Sequence, residues 1–486
     1  MKIYSKNLLS ITAYLMITAV QAVAGLTQQI DAIVDSQIQD KVKFAVQIRD
    51  PKTGAIIYSR NGSMALIPAS NMKLITTASA LHYLGSDFQY QTRVGLVGDS
   101  LAVIGSGDPL LGDKATAKKM SFDPRWMLKD IAIQLKAAHT SAITDVIVDS
   151  TVFSDLRFHP SWHRKELNRE YAAEVAGLNY NGNCVEILAE AVSSRVRLTL
   201  EPRTSYVKII NKCKPAAKPP DTVWGAREPN SNTITVLGAC HKKCQPIRVT
   251  IDRPPAFFAY ILAEELKRGG VSVRGRIIEK EITSQDKFRT VAVYTSSIWE
   301  VFERCNKDSF GLAAESLLKT IAASRQPSGK GGTWAAGQNL ISQYLLSLGI
   351  PDDQFQIDDG SGLSENNRLS VNSISTVLLD LYNSRDWPNF VETLSVGGEE
   401  GTASKWFDEP KYKGKIFTKT GYMEGVKSLS GVCETPTGDR IFSIITNKTN
   451  GQTRQAINNI VKAVIDESNI IVSSVKPADE FSAVIR

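Results

Sequence analysis

The chain lacks a run of the ~20 consecutive apolar residues that a membrane-spanning helix needs. Its longest apolar run, Leu8 to Val20, falls well short. It also lacks a strong excess of one charge: 57 Lys and Arg stand against 50 Asp and Glu, a net +7. No arginine-rich run, zinc-finger spacing or nucleic-acid recognition signature accompanies that balance, so nucleic acid is not an expected partner. A mild attraction to anionic surfaces is all that the charge implies. Internal repeats and low-complexity stretches are missing as well. With 42% hydrophobic and 22% charged residues, the composition excludes disordered, collagen-like and coiled-coil chains. At 486 residues the chain is too long for one ordinary domain and predicts two or three.

Lys2 and Lys6 precede the short apolar run, and Ala22-Val23-Ala24 follows it as a small-x-small cleavage site. This layout predicts a secretory signal peptide over residues 1–24, with a mature chain starting near Gly25. The expected location is therefore the periplasm or cell-wall space, with no transmembrane segment after cleavage. Six cysteines, Cys184, Cys213, Cys240, Cys244, Cys305 and Cys433, are then read for an oxidising compartment. Cys240-His241-Lys242-Lys243-Cys244 has no second half-site at zinc spacing, so one or two disulfides are expected in preference to a metal site. Six cysteines allow fifteen pairings, and the sequence does not choose among them.

Phe44–Arg49 and Ala55–Ser59 read as strands joined by the turn Asp50 to Gly54. Ser70–Leu84 reads as a helix closed by Gly85. From about residue 91 to 289, short β-branched runs alternate with turns and a few helices such as Ala256–Arg268. Helical patterns then return at Gly311–Ala323, Trp334–Leu348 and Ser373–Tyr382. Ile416–Thr420, Leu429–Cys433 and Arg440–Thr446 read as strands of one antiparallel sheet, and Gln452–Ile465 as a closing helix. The expected class is α+β: a helical and antiparallel-sheet domain over 25–90 and 290–486, split by a β-rich insertion over 91–289.

Ser70-Asn71-Met72-Lys73 opens the first long helix. Spacing of three puts Ser70 and Lys73 on one helix face. A neutral lysine amine there can take the serine proton and make the hydroxyl a nucleophile. That requires a lysine pKa depressed by burial or a nearby cation. The spacing alone is weak, because Ser205/Lys208, Ser284/Lys287, Ser316/Lys319 and Ser473/Lys476 share it. Strand or connection residues, a solvated helix face and a C-terminal tail are the ordinary readings of those four. Lys419-Thr420-Gly421 ends a strand, where an ammonium can hold a substrate carboxylate and glycine lets a backbone approach. Its duplicate, Lys52-Thr53-Gly54, is assigned to a hairpin turn. Ser309 lies between the two motifs, just before a helix. It reads either as an N-cap or as a second serine that relays protons to a leaving amine.

In this order, Ser-x-x-Lys, a serine-centred motif and Lys-Thr-Gly resemble the signature of penicillin-recognising serine enzymes. The long interval from Ser70 to Ser309 resembles the D-alanyl-D-alanine carboxypeptidase/endopeptidase family of the penicillin-binding protein 4 type, low-molecular-mass class C. Gly105-Ser106-Gly107-Asp108-Pro109, Leu178-Asn179-Tyr180-Asn181 and Asn306-Lys307-Asp308-Ser309 also fit. So do Asp359-Gly360-Ser361-Gly362-Leu363-Ser364, Gly401-Thr402 and Ser428-Leu429-Ser430-Gly431. The resemblance covers nearly the whole mature chain.

The resemblance implies a β-lactamase/transpeptidase-like fold and hydrolysis of D-Ala-D-Ala bonds or D,D-cross-links in peptidoglycan peptides. Ser70 would be acylated, Lys73 would be the base and Ser309 the proton relay. Lys419 with Thr420 would hold the substrate carboxylate beside Gly421. Backbone N–H groups of Ser70 and Tyr422 would form the oxyanion hole, worth roughly 3–4 kcal/mol per donor. β-Lactams would be covalent inhibitors, and neither a metal nor an organic cofactor is implied. Asp149, after the strand Val146–Val148, is a further substrate-pocket candidate; a turn carboxylate is its ordinary reading.

Two departures stand out. The family's Ser-x-Asn reads Ser309-Phe310-Gly311 here, a missing amide worth about 2–4 kcal/mol of transition-state stabilisation. Glu365 stands where the family commonly has Arg. These departures keep open a weakly active or inactive cell-wall peptide-binding protein. A β-lactamase or esterase on the same fold is a third reading, which the long insertion disfavours.

Overall fold

The computed structural model describes residues 25–474, so the expected signal peptide lies outside the described residues. Six strands form one antiparallel sheet, in the order Ile56–Arg60, Lys43–Arg49, Arg440–Asn447, Val426–Cys433, Ile416–Met423 and Ser395–Val396. Successive side chains of a strand point to opposite faces. Ile441 and Ile445 join Met72, Leu74, Leu317 and Ile374 in one core. Phe442 and Ile444 join Ile457, Ile460 and Val461 in another. The sheet is thus covered on both faces, and its strand Arg440–Asn447 is buried from Ile441 to Thr446.

The helix Met72–Leu84 lies in the first of these cores, and every residue from Met72 to Leu81 is buried. Such a helix needs no polar stripe. Gly85 ends it at φ +83°, a conformation that glycine adopts without the clash of a Cβ. The neighbouring helix Gly311–Ser324 is also buried on all sides, from Gly311 to Ala323. Trp334–Ser347 and Val371–Tyr382 complete this layer. The expected helices and sheet strands are all present, with ends shifted by a few residues.

The stretch expected to be β-rich holds a five-stranded sheet, ordered Ile277–Glu279, Val146–Asp149, Ser100–Ile104, Gln89–Val97 and Arg289–Ser297. Three of its pairings differ in sense from the main sheet or from one another: Ser100–Ile104 and Ile277–Glu279 each pair parallel to Val146–Asp149, while Gln89–Val97 pairs antiparallel to Arg289–Ser297. Parallel neighbours need crossover connections. The helix Trp126–Ala137, which the sequence reading passed over, lies within one of them. It shares a core with Pro254–Arg268 through Leu128, Ile131, Phe257 and Leu262. The same stretch sends Phe153 and Trp162 into the core around Met72.

All six cysteines are free thiols, which departs from the expected disulfides. Cys184, Cys305 and Cys433 are buried in three different cores or strands, so they have no common neighbourhood. Cys240 and Cys244 do meet, with their sulfurs 2.8 Å apart, and the Asp221 carboxylate is close to both.

Phe442 is fully buried on the far side of the sheet. Phe442→Ala should destabilise the fold by about 3–5 kcal/mol, read as a lower midpoint in urea denaturation. A loss below ~1 kcal/mol would contradict the packing described for that face.

Candidate active site

The turn Ala69–Asn71 feeds into the helix Met72–Leu84 and places Ser70 at the helix start, half-buried. Ala69 is held at φ +48°, an unfavourable region for a residue with a Cβ. Its surroundings leave the turn little choice. Pro68 O accepts from Ser428 Oγ at 2.7 Å, and Asn71 Nδ2 donates to Ser430 Oγ at 2.7 Å. Gly362, at φ +79°, lies against the Ala69 carbonyl so closely that a Cβ would sit 1.9 Å from its oxygen. Gly421 abuts the turn from the sheet; a Cβ there would meet Ser428 Oγ at 2.0 Å and the Ser70 nitrogen at 3.3 Å. These two glycines let a loop and a strand close on the serine.

Lys73 is 2% exposed. Its Nζ lies 3.0 Å from Ser70 Oγ and donates to Ser361 O at 2.6 Å. Burial is the main cause that holds its pKa below the ordinary lysine value; Cys305, Asp359 and Glu315 act in the opposite direction. Lys419 is fully buried, and its Nζ donates to Thr420 O at 2.9 Å. Its pKa is held well below the ordinary value, by burial first and then by the charge of Lys73. Thr420 Oγ1 bonds Thr402 Oγ1 at 2.7 Å, which ties the strand to the Gly401–Ala403 turn. Tyr422 is 75% exposed. The edge strand Ser395–Val396 pairs only with Phe417 and Thr418, so the strand is uncovered by the sheet beyond that point.

A cavity of about 440 Å³ opens over Ser70 and Lys73, and Ser309, Gly311, Glu365 and Tyr422 line it. Ser309 sits at φ +62° and is not the helix cap; that position falls to Phe310, whose N–H donates to Arg304 O at 3.0 Å. The Phe310 ring lies under the Arg304 guanidinium at 4.8 Å. At Gly311, a Cβ would come within 3.0 Å of Tyr171 O. The segment His163 to Tyr171 lines the same cavity, and the Tyr171 hydroxyl donates to Glu166. That segment lies within residues 91–289, and no sequence motif marked it. Only the glycine at the place of the expected amide hinted that something else approaches there.

Asp149 does not line this cavity. It is 1% exposed and accepts from Thr151 N at 2.9 Å, Thr151 Oγ1 at 2.6 Å and Ile282 N at 2.8 Å. Oδ1 is thus taken up by Thr151 and Oδ2 by Ile282, with Lys330 Nζ 3.8 Å from Oδ2, which fits the turn-carboxylate reading. The Ser316/Lys319 pair, expected on a solvated helix face, is buried instead. Lys319 Nζ donates to Leu156 O at 2.6 Å and lies 3.8 Å from the Trp334 ring centroid. Burial brings its pKa down to about 7. Neither residue lines the cleft. Lys52-Thr53-Gly54 is a hairpin turn as expected, with Asp50 Oδ1 accepting from Lys52 N and Thr53 N.

A family model described as D-Ala-D-Ala carboxypeptidase 3 (S13) matches residues 26–467. A D-alanyl-D-alanine carboxypeptidase of an Actinomadura species is 29% identical over 472 residues, covering 91% of this chain and 84% of that one. Penicillin-sensitive carboxypeptidase A of Dictyostelium discoideum is 26% identical, covering 86% and 85%. The crystal structure of penicillin binding protein 4 from Haemophilus influenzae superposes with a TM-score of 0.74 at 21% identity, covering 94% of this chain and 99% of that one. That likeness carries the fold, an α+β arrangement of antiparallel sheet and helices. With the family match running over nearly the whole of the described residues, the chain belongs to the D-Ala-D-Ala carboxypeptidase 3 (S13) family.

Proposed function

We propose that this protein is an exported serine-type peptidase that cleaves D-Ala-D-Ala ends or D,D-cross-links of peptidoglycan peptides through an acyl-enzyme on Ser70. The observation that carries the reading is the buried Lys73 Nζ, 3.0 Å from Ser70 Oγ with its pKa lowered by burial. A neutral amine at that distance takes the hydroxyl proton as Oγ attacks the carbonyl carbon of the scissile bond. The tetrahedral oxyanion is received by the backbone N–H groups of Ser70 and Tyr422. Collapse expels the D-Ala amine, which takes a proton passed from Lys73 through Ser309. Water then attacks the ester, with Lys73 again as base.

Lys419 has the complementary task. Alone in a dry pocket beside Lys73 its charge is disfavoured. An arriving substrate carboxylate, held also by Thr420, favours the ammonium again by opposite charge at close range. The uncovered edge beyond Thr418 suits an extended peptide laid along the strand. We further propose that residues 91–289 are an insertion in a domain formed by 25–90 and 290–486. The separate core around Leu128 and Phe257 supports it. Among the described residues no helix is long and apolar enough to cross a membrane.

One observation favours a second reading, a cell-wall peptide-binding protein with little turnover. Gly311 leaves the cleft without the family's amide, and the Tyr171 carbonyl stands close to where its side chain would begin.

Labelled penicillin with a D-Ala release assay tests both readings. The peptidase should carry persistent label and release D-Ala; the binding protein should do neither. Intact-mass analysis after β-lactam treatment should show one added equivalent, located at Ser70. Ser70→Ala should abolish it, while Ser316→Ala and Ser284→Ala should not; label on either of those serines would overturn the assignment.

Lys73→Arg should reduce acylation by 100-fold or more, on the order of 3 kcal/mol, because a guanidinium keeps its proton at working pH. In the wild type the acylation rate should rise with pH as Lys73 loses its proton, with a midpoint below the ordinary lysine value. A flat pH–rate profile would remove Lys73 from the role of base.

Gly311→Asn should raise acylation by less than about tenfold, ~1.4 kcal/mol, since the new side chain must first displace Tyr171 O. Acylation rates and melting temperatures of both forms check this. A gain of tenfold or more in a stable Asn variant would favour the binding-protein reading.

A further inference from the structure

Glu315 is the fifth residue of the helix Gly311–Ser324. It is 1% exposed, and all of its hydrogen bonds go to N–H donors of the protein. Its carboxylate is nonetheless one bonded segment away from the lysine base. Oε1 accepts from Ser361 N at 2.7 Å. Oε2 accepts from Gly360 N at 3.1 Å and from Trp334 Nε1 at 2.7 Å. The same Ser361 turns its carbonyl the other way, where it accepts from Lys73 Nζ at 2.6 Å. Gly360 O likewise accepts from Thr76 Oγ1 at 2.7 Å, one helical turn beyond Lys73. The short segment Gly360-Ser361 is therefore held by Glu315 through its N–H groups and presents its carbonyls to the nucleophile helix.

This arrangement matters for a lysine that must act as a base. A neutral amine has two N–H bonds and one lone pair. A fixed acceptor for one N–H restricts the rotation of Nζ and so restricts where the lone pair points. The Ser361 carbonyl is such an acceptor, and Ser70 Oγ lies 3.0 Å away on the same nitrogen. All three bonds made by Glu315 are accepted and none is donated, the pattern of an ionised carboxylate, held against burial and the neighbouring Asp359, which raise its pKa above the ordinary carboxylate value. We infer that Glu315 is a positioning residue for the reaction proposed above: it fixes the Ser361 carbonyl and, through it, the lone pair of Lys73.

The charge of Glu315 also has a consequence of definite sign for Lys73. The groups facing Lys73 are Glu315, Asp359 on the adjoining loop, Cys305 on the helix Ile298–Asn306 and Lys419 on the sheet. Glu315 and Asp359 both favour the charged lysine, against the larger effect of burial. Removing the charge of Glu315 leaves burial and Lys419 less opposed, so Lys73 loses its proton at lower pH. Asp359 stays in place, since its own partners are Gly362 N, Ser364 N and Trp162 Nε1.

The test is the pH dependence of β-lactam acylation for wild type, Glu315→Gln and Trp334→Phe, measured on the whole protein with its melting temperature. In Glu315→Gln one accepting oxygen becomes an NH₂ that faces an N–H donor, so the segment is displaced while the volume is kept. The acylation rate constant should fall at least tenfold. The apparent affinity of the initial non-covalent complex should change by less than threefold, because Glu315 touches no ligand. The acid limb of the pH profile should move to lower pH. Trp334→Phe removes one donor and no charge; its rate should fall less and its limb should stay where it is. A folded Glu315→Gln with a wild-type rate and an unmoved limb overturns the inference, as does a loss confined to affinity. If Glu315→Gln does not fold, Trp334→Phe decides: a folded form with no loss of acylation rate overturns it. Absence of acylation in the wild type would instead reject the peptidase reading itself.

Discussion

The site depends on keeping one lysine out of water. Lys73 can take a proton from Ser70 only as a neutral amine, and in water that form is rare below pH 10. Burial supplies the change, and much of the surrounding architecture follows from it. The nucleophile helix is buried through Leu81 and has no wet face. The helix Gly311–Ser324, packed beside it, is buried along almost all its length. The loop carrying Ser361 and Gly362 presses on the turn before Ser70, and the strand carrying Gly421 presses from the other side. A dry lysine needs a fixed partner for its N–H bonds, and the Ser361 carbonyl provides one.

Keeping the site dry creates a second difficulty, which is charge. Lys419 is fully buried, and the charge of Lys73 acts on it. Two ammonium groups there would repel in a medium that screens poorly. Two buried carboxylates, Glu315 and Asp359, offset part of that cost without entering the cleft; Asp359 is saturated by N–H donors from Gly362, Ser364, Asn367 and Trp162. The balance leaves room for one more negative group. A peptide with a free C-terminal carboxylate brings it, which links substrate binding to the charge state of the pocket.

Ser70, Lys73 and Ser309 stood out as local patterns, a spacing of three on a helix and a serine before a helix, and the structure brings these three to one cavity, while the Lys419 triplet lies inside the strand Ile416–Met423 rather than at its end. The main sheet was legible for the same reason, since apolar runs such as Ile441 to Ile445 announce a strand whatever covers it. What was not legible depends on long-range approach. The Ser316/Lys319 pair shows the same spacing as Ser70/Lys73 but does not line the cavity; it lies in a helix buried on every side, and helix burial is set by neighbours distant in sequence. Asp149 follows a strand of the insertion, and nothing local told that both its oxygens are used by Thr151 and Ile282. The parallel pairings of Val146–Asp149 were hidden too, because short β-branched runs look alike in parallel and antiparallel sheets.

The segment His163 to Tyr171 shows what the insertion contributes to the cleft. It crosses from the inserted region to the mouth of the cavity and puts a backbone carbonyl beside Gly311. An asparagine at 311 would need the space that Tyr171 O borders, so the glycine and the segment fit each other. The segment is held from outside the cleft as well: Arg248 pairs with Glu170, and Thr250 Oγ1 donates to Leu167 O. Its position is therefore set from two sides, by Arg248 and Thr250 and by the core around Met72, which Trp162 and Ala172 enter at either end of the segment. The amide expected at the helix start is absent at Gly311, while the Tyr171 carbonyl and the polar side chains of Glu166 and Tyr171 stand there from the segment 163–171. The chemistry at Ser70 and Lys73 is local to two helices and a loop; the shape that a peptide meets above it is a property of both parts of the chain.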